Sequence, residues 1–217
     1  GFRVSECMNN ISAQAIFGDS VFVYFSCHGG YDENDVDYGL CFYDGYYCAT
    51  DLAKDIRAVD RNGSSGVGIA CLIDACYSQG AYDREKISST EADWYIKNAL
   101  TMCSKNVSFV SAALNSETAG YNNGLTKFMI SYGWDDGYVK DQSTTGEYRS
   151  SLMALYQYAK EHLDDIGNQH IDFENENLLR NFVIHVAANP TCIADPSTPT
   201  GVTASQGSYP QGIYIRF

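Results

Sequence analysis

The sequence has few basic residues and no long apolar run. Lys and Arg together number 14 against 27 Asp and Glu among 217 residues, which gives a formal net charge of −13. Because it contains no basic patch and no basic helix with interleaved aromatic residues, the sequence argues against a nucleic-acid partner. It also lacks a run of about 18 apolar residues, so no membrane span is expected.

Paired cysteine motifs are missing as well. Eight cysteines are present, but none of them has the Cys-x-x-Cys spacing, so neither a zinc site nor a dense disulfide framework is indicated. Free cysteines are often buried, and we interpret Cys27, Cys71 and Cys103 as core residues. With 45% hydrophobic residues, the chain can bury the core of one full domain.

Two apolar runs predict buried strands of a parallel sheet. Val21–Phe25 and Val67–Ile73 show little polar alternation, which is typical of strands covered on both faces. Between them, Thr50–Asp60 carries apolar residues at helical spacing, with Thr50 as a candidate N-cap. The order strand, helix, strand indicates an α/β fold.

A histidine and a cysteine follow these two runs. His28 lies in the segment Ser26–Gly30, and Cys76 lies in Asp74–Ser78. Functional groups of an open parallel sheet collect at the carboxyl ends of its strands, so we expect His28 and Cys76 to meet, as a nucleophile and its proton donor. The alternative is that both residues are structural, although the turn-forming residues after Cys76 do not favour a packing role.

The two segments resemble the paired signatures of a known enzyme family. Tyr24–Gly30 and Leu72–Gly80 are similar to those of caspase-like cysteine peptidases, a group that holds caspases, metacaspases and their bacterial relatives. Three further segments are similar to the family's next strand and turn, its following core strand and the helix after it: Leu40–Gly45, Val107–Glu117 and Gly124–Ile130. The resemblance covers most of residues 11–187. It implies a caspase-like three-layer sandwich, with a mainly parallel central sheet flanked by helices.

The resemblance also implies a reaction and its catalytic residues. Cys76 as a thiolate would attack a peptide carbonyl, and His28 would give a proton to the leaving amine. The backbone N–H groups of Gly29 and Cys76 would hold the oxyanion. No third member of a triad is assigned. The expected activity is that of a cysteine endopeptidase acting on protein or peptide substrates through a thioester.

The residue two positions before the nucleophile carries information on specificity. In the resembled family this position lines the pocket for the side chain before the scissile bond, and here it is Asp74. A carboxylate suits a guanidinium or an ammonium group, so cleavage after Arg or Lys is expected. Ser26 matches another residue of the same pocket in metacaspases. The alternative is that Asp74 caps the turn after its strand.

The chain is expected to hold one domain and the start of another. Residues 1–193 are predicted to form the peptidase domain, without the leading strand that the family usually has. Residues 194–217 are predicted as a linker and the truncated start of a fibronectin type III-like module, because Val202–Ala204 and Gly212–Phe217 read as two strands. Such modules are common on secreted bacterial enzymes, so an extracellular or cell-surface location is expected.

Other segments give weaker signals. The acidic loop Tyr31–Tyr38 is most simply solvated, and a calcium site is the alternative, because its hard oxygen ligands suit that ion. No other cofactor is indicated. Arg84 and Lys86 are candidate sites of self-cleavage, with an ordinary surface loop as the alternative. The remaining predicted elements are two helices and a late core strand: Thr90–Met102, Leu152–Leu163 and Phe182–Ala187.

Two other functions stay open at this stage. One is a catalytically silent recognition or scaffold domain with the caspase-like shell. The presence of both His28 and Cys76 argues against it. The other is a peptidase of the same clan that cleaves after Asn or Asp, which peptide substrates would distinguish.

Overall fold

The fold is given by a computed structural model. It describes residues 2–31, 37–62, 66–82, 106–120, 124–135, 148–163, 169–186 and 213–214. The α-helices are α1 Phe2–Gln14, α2 Ala49–Asn62, α3 Leu152–Leu163 and α4 Glu176–Asn181. A 3₁₀ turn, Ser78–Ala81, and a π-helical segment, Lys127–Asp135, complete the helical elements of the described residues.

The strands of the described residues form three sheets. Their bounds are β1 Ser20–Ser26, β2 His28–Tyr31, β3 Tyr38–Phe42, β4 Gly45–Cys48, β5 Gly68–Asp74, β6 Val107–Ser111, β7 Tyr148–Ser151, β8 Asp172–Glu174, β9 Val183–Val186 and β10 Ile213–Tyr214. The central sheet has the order β10-β1-β5-β6-β8, and all its pairings are parallel except that of β6 with β8. Strands β2, β3 and β4 make an antiparallel meander.

Helices cover both faces of the central sheet. On one face, alternate residues of β1 and β5, among them Phe25 and Ile73, pack against α1 and α2. On the other face, Phe22 and Leu72 pack against α3 and the residues around Met129. Burial on both faces explains why β1 and β5 are apolar throughout, as a covered parallel sheet requires. The prediction of an α/β fold with a mainly parallel sheet flanked by helices is confirmed.

The helix between the two strands begins earlier than predicted. It runs over Ala49–Asn62, so Thr50 lies inside its first turn and is not the N-cap. The Thr50 hydroxyl instead donates a hydrogen bond to Asp37 Oδ2 at 2.7 Å, which ties the helix to the residue before β3. The predicted helix Leu152–Leu163 is confirmed at both ends as α3.

The last strands lie in unexpected places. The predicted strand Phe182–Ala187 exists as β9, but it pairs antiparallel with β7 outside the central sheet. Ile213–Tyr214 pairs in parallel with β1. These two residues do not test the division at residue 193, which stays a prediction. The predicted helix Thr90–Met102 lies outside the described residues. Among the described helices, none is long and apolar enough to cross a membrane.

Candidate active site

The two predicted catalytic residues follow neighbouring strands at the same edge of the sheet. In the register of β1 and β5, Ser26 pairs with Asp74. The pairing continues one step further, where the Cys27 N–H donates to the Asp74 carbonyl at 3.3 Å. His28 and Cys76 each lie two positions beyond the last paired residues. The chain therefore leaves both strands toward the same region, as the strand pattern predicts.

The backbone after His28 lies directly against Cys76. A Cβ atom added to Gly29 would overlap both the Cys76 carbonyl oxygen and the Tyr38 hydroxyl. Only glycine permits this close approach of two backbone segments. Gly29 and Cys76, predicted to supply the oxyanion donors, are thus brought together, although the roles of their N–H groups stay predictions.

Cys76 is more accessible than Cys71 and, like Cys27, is only partly buried. Its side chain is half-buried, and His28 is exposed, so reagents in solvent reach both. Cys71 is buried as predicted, and burial raises the pKa of its thiol. Cys27 is only half-buried. Desolvation, together with nearby Cys41, raises the pKa of Cys27 to about 12. The thiols of Cys27 and Cys71 are therefore protonated at neutral pH and poor nucleophiles.

The residue after Cys76 has a conformation that side chains rarely adopt. Tyr77 has a φ of 56°, in the left-handed region. Its N–H donates to the Glu117 carbonyl at 2.8 Å. A non-glycine residue keeps such a conformation only where its surroundings determine it, and such positions cluster at functional sites.

Ser78 and Gln79 hydrogen-bond the turn after Cys76 to the residues that follow β6. The buried Ser78 Oγ accepts hydrogen bonds from the N–H groups of Ala112 at 2.9 Å and Ala113 at 3.1 Å. The Gln79 N–H donates to the Ala113 carbonyl at 2.9 Å, and its side-chain amide donates to Asp172 at 2.8 Å. The sequence predicts a turn here but not these anchors. Polar residues in a turn carry no local signal for a partner elsewhere in the chain.

Three tyrosines pack against one another beside Cys76, and one of them contacts its backbone. The ring centroids of Tyr31 and Tyr38 lie 5.8 Å apart, and those of Tyr31 and Tyr77 lie 6.0 Å apart. The Tyr38 hydroxyl donates to the Cys76 carbonyl at 3.0 Å. The sequence alone does not predict that these three tyrosines pack together. The only signal is that tyrosines border the acidic loop and directly follow Cys76.

Asp74 has a defined set of partners. Its Oδ2 accepts hydrogen bonds from the N–H of Thr126 at 2.9 Å and from the Thr126 hydroxyl at 2.5 Å. Because that hydroxyl donates to Asp74, the Tyr24 hydroxyl 2.6 Å away must be the donor to Thr126. A Cβ atom on Gly124 would lie 2.9 and 3.0 Å from the two carboxylate oxygens. Asp74 therefore caps the helical turn that begins after Gly124.

This capping role leaves Asp74 able to line a pocket. Asp74 is half-buried, and within the described part of the chain the hydrogen bonds to its carboxylate all go to Oδ2. Ser26, its register partner on β1, is exposed. In parallel strands, paired residues point to the same face, so Ser26 and Asp74 lie side by side on the face that Tyr24 also occupies.

Hydrogen bonds between Glu117 and His170 support the segment whose carbonyl accepts the Tyr77 N–H. The Glu117 carboxylate accepts the backbone N–H of His170 at 2.9 Å, and His170 Nδ1 lies 2.7 Å from its other oxygen. Burial raises the pKa of Glu117, but the hydrogen bonds from His170 outweigh it, so this pKa lies below its ordinary value. The His170 side chain itself is exposed.

Several predicted site features lie outside the described residues. Arg84 and Lys86 are among them, and so is most of the acidic loop, residues 32–36. Within the described residues, no group of three or more His, Cys, Asp or Glu side chains could hold a metal ion. Self-cleavage and the calcium alternative stay predictions.

Comparison with models of known protein families and with curated proteins gives no match. The resemblance to caspase-like peptidases therefore rests on the residues of the two motifs and on their order in the chain.

Proposed function

We propose that the protein is a cysteine endopeptidase with a caspase-like sandwich, which cleaves peptide bonds after Arg or Lys. One observation carries the proposal: the backbone of Gly29, next to His28, lies against the carbonyl of Cys76. The segments that carry the His28 imidazole and the half-buried Cys76 thiol thus leave adjacent strand ends and contact each other through their backbones. No packing requirement explains this pairing, since both residues follow the buried strands and neither belongs to the core.

The arrangement suits acyl transfer. The Cys76 thiolate attacks the scissile carbonyl and forms a C–S bond, while the N–H groups of Gly29 and Cys76 hold the oxyanion. One such donor contributes roughly 3 kcal/mol to lowering the barrier. Collapse breaks the C–N bond, and His28 gives its proton to the leaving amine. Water, deprotonated by His28, then attacks the thioester; the C–S bond breaks, which releases the acid and restores the thiolate beside a protonated His28.

Asp74 supports the preference for basic residues. Thr126 holds one carboxylate oxygen, which fixes the orientation of the group and leaves the other oxygen for a guanidinium or ammonium group. Charge-assisted hydrogen bonds of this kind are about twice as strong as neutral ones. Ser26 beside it adds a neutral donor or acceptor. The net charge of −13 favours the approach of cationic peptides.

Fluorogenic peptides that differ only in the residue before the scissile bond test the proposal. We expect hydrolysis of the Arg and Lys peptides and little of the Asn and Asp peptides. An acyloxymethyl ketone with a terminal arginine is expected to label Cys76, with Cys76→Ala as the matched control. Labelling and turnover that are absent from the wild type would indicate a silent scaffold domain. Preferential cleavage after Asn or Asp would contradict the assigned pocket.

A further inference from the structure

We propose that Tyr38 is a positioning residue of this site, whose hydroxyl fixes the backbone of Cys76 so that the thiol faces the His28 loop. The inference rests on the proposed function. Tyr38 is the first residue of β3 and pairs with Tyr31 at the end of β2. Its side chain is only 1% exposed. A buried hydroxyl without a hydrogen-bond partner destabilises the folded state, so the Tyr38 hydroxyl needs an acceptor.

The peptide group between Cys76 and Tyr77 is hydrogen-bonded at both ends. Its carbonyl accepts from the Tyr38 hydroxyl at 3.0 Å, and its N–H donates to the Glu117 carbonyl at 2.8 Å. A planar peptide group held at both ends cannot rotate. The direction of the Cys76 side chain depends on that plane, so the two bonds together set where the thiol points.

The Tyr38 hydroxyl stays a donor under all working conditions. Burial, reinforced by Cys27, Cys41 and Cys76 nearby, raises the pKa of its phenol. A protonated phenol donates one hydrogen bond, and the Cys76 carbonyl is its acceptor. The contact therefore does not depend on pH over the range in which the enzyme would act.

The conformation of Tyr77 explains why the peptide group between Cys76 and Tyr77 needs both of its hydrogen bonds. A φ of 56° is disfavoured for tyrosine and persists only while neighbouring contacts determine it. Without the Tyr38 hydroxyl, the carbonyl end of the peptide group is free while the N–H end is held. We expect the turn to relax toward an ordinary conformation and to carry the thiol away from its productive position.

Tyr38→Phe tests this, with Tyr47→Phe as the matched control. Tyr47 is also a tyrosine of the meander and 1% exposed, but its hydroxyl donates to Asp55 at 2.7 Å and not to the Cys76 carbonyl. Each variant loses one buried hydroxyl. We expect Tyr38→Phe to lower kcat for an arginyl peptide about tenfold and to leave KM within about twofold. Tyr47→Phe is expected to keep the wild-type kcat.

A second measurement separates positioning from stability. The rate of alkylation of Cys76 by iodoacetamide is followed by mass spectrometry of the peptide that contains it, and unfolding temperatures are recorded in parallel. Tyr38→Phe is expected to slow alkylation of Cys76, whereas Tyr47→Phe is expected to lower only the unfolding temperature. A kcat for Tyr38→Phe equal to that of Tyr47→Phe, with unchanged alkylation, would overturn the proposal.

The remaining outcomes are also decisive. If Tyr38→Phe is unfolded at the assay temperature, all three proteins are measured with the osmolyte trimethylamine N-oxide, which favours the folded state. Unchanged alkylation of Cys76 in the folded Tyr38→Phe protein then rejects the proposal, and slower alkylation supports it. If the wild type neither hydrolyses arginyl peptides nor is labelled by the ketone, the proposed function fails, and the role of Tyr38 fails with it. An active wild type with an unaffected Tyr38→Phe rejects the role of Tyr38 alone.

Discussion

Thr126 donates two hydrogen bonds to the same oxygen of Asp74, one from its backbone N–H and one from its hydroxyl. The two residues are 52 positions apart in the chain. The contact joins the end of β5 to the start of the helical turn that continues into the π-helical segment. It places a carboxylate with a fixed orientation beside Ser26 at the sheet edge where Cys76 follows.

Thr126→Val is expected to weaken selection of basic substrates. Valine has nearly the shape of threonine and keeps the backbone N–H, so Asp74 loses one of its two restraints and the cap persists. We expect kcat/KM for arginyl peptides to fall about threefold to tenfold, the equivalent of one ordinary hydrogen bond, because the second bond from Thr126 still orients Asp74. Steady-state kinetics measures this. Tyr24→Phe is the control, because it removes the hydroxyl that contacts Thr126 and leaves both bonds to Asp74 in place.

Asp74→Asn is expected to have a much larger effect on the same substrates. The amide is isosteric and its oxygen accepts from Thr126, but the charge that would pair with the substrate cation is lost. Breaking a buried charge pair costs roughly 3 to 5 kcal/mol, so turnover of arginyl and lysyl peptides should fall by orders of magnitude. Equal rates of variant and wild type would remove Asp74 from the pocket and leave it only the capping role.

Cys76→Ala is expected to abolish hydrolysis and leave the fold intact. Cys76 is half-buried and lies beyond the end of β5, so its side chain contributes little to the core. Hydrolysis assays and circular dichroism of the variant measure the two expectations. Activity retained by a folded Cys76→Ala protein would show that another group is the nucleophile.

Ser78→Ala is expected to destabilise the protein. It removes the acceptor of the buried Ala113 N–H, whereas the Ala112 N–H keeps its bond to the Ile73 carbonyl. An unsatisfied buried group costs about 1 to 3 kcal/mol, so the free energy of unfolding should fall by about that amount. Urea denaturation measures the loss. Ser5→Ala is the control, because Asp55 keeps its bond from Tyr47 when the Ser5 hydroxyl is removed.

The part of the site that could be predicted from sequence is the part set by local pattern. Apolar runs identify β1 and β5, and two parallel strands with a helix between them bring Ser26 and Asp74 into register. The contact of Tyr38 with Cys76 could not be predicted, because it depends on how the β2–β3–β4 meander folds over the sheet edge. The Thr126 cap depends in the same way on packing between distant segments.

The strand β9 also shows that the sequence predicts an element without predicting its tertiary partner. Its apolar residues predict a strand, but they do not specify a partner, and it pairs with β7 outside the central sheet. Thr50 has the residue type of an N-cap, yet a helix that begins at Ala49 places it one position inside. Residue type indicates the kind of element, whereas tertiary contacts decide its partner and its ends.

The half-buried carboxyl of Asp55 makes stability depend on pH. Its pKa is raised, chiefly by burial, against the hydrogen bonds from Tyr47 and Ser5, which lower it. A raised pKa in the folded state means that this group stabilises the fold below its unfolded pKa. That contribution to stability is lost as the pH rises through the pKa of Asp55 in the folded state. Asp55→Asn cannot ionise and can still accept both hydrogen bonds.

We therefore expect Asp55→Asn to gain stability over the wild type as the pH rises from about 3 to 7. Urea denaturation at several pH values measures the difference in the free energy of unfolding between the two proteins. Glu6→Gln, which removes a charge from an exposed position of α1, is the control for the change in net charge. A difference for Asp55→Asn that stays constant with pH, or that shrinks toward neutrality, would show that burial of this carboxyl does not oppose its ionisation.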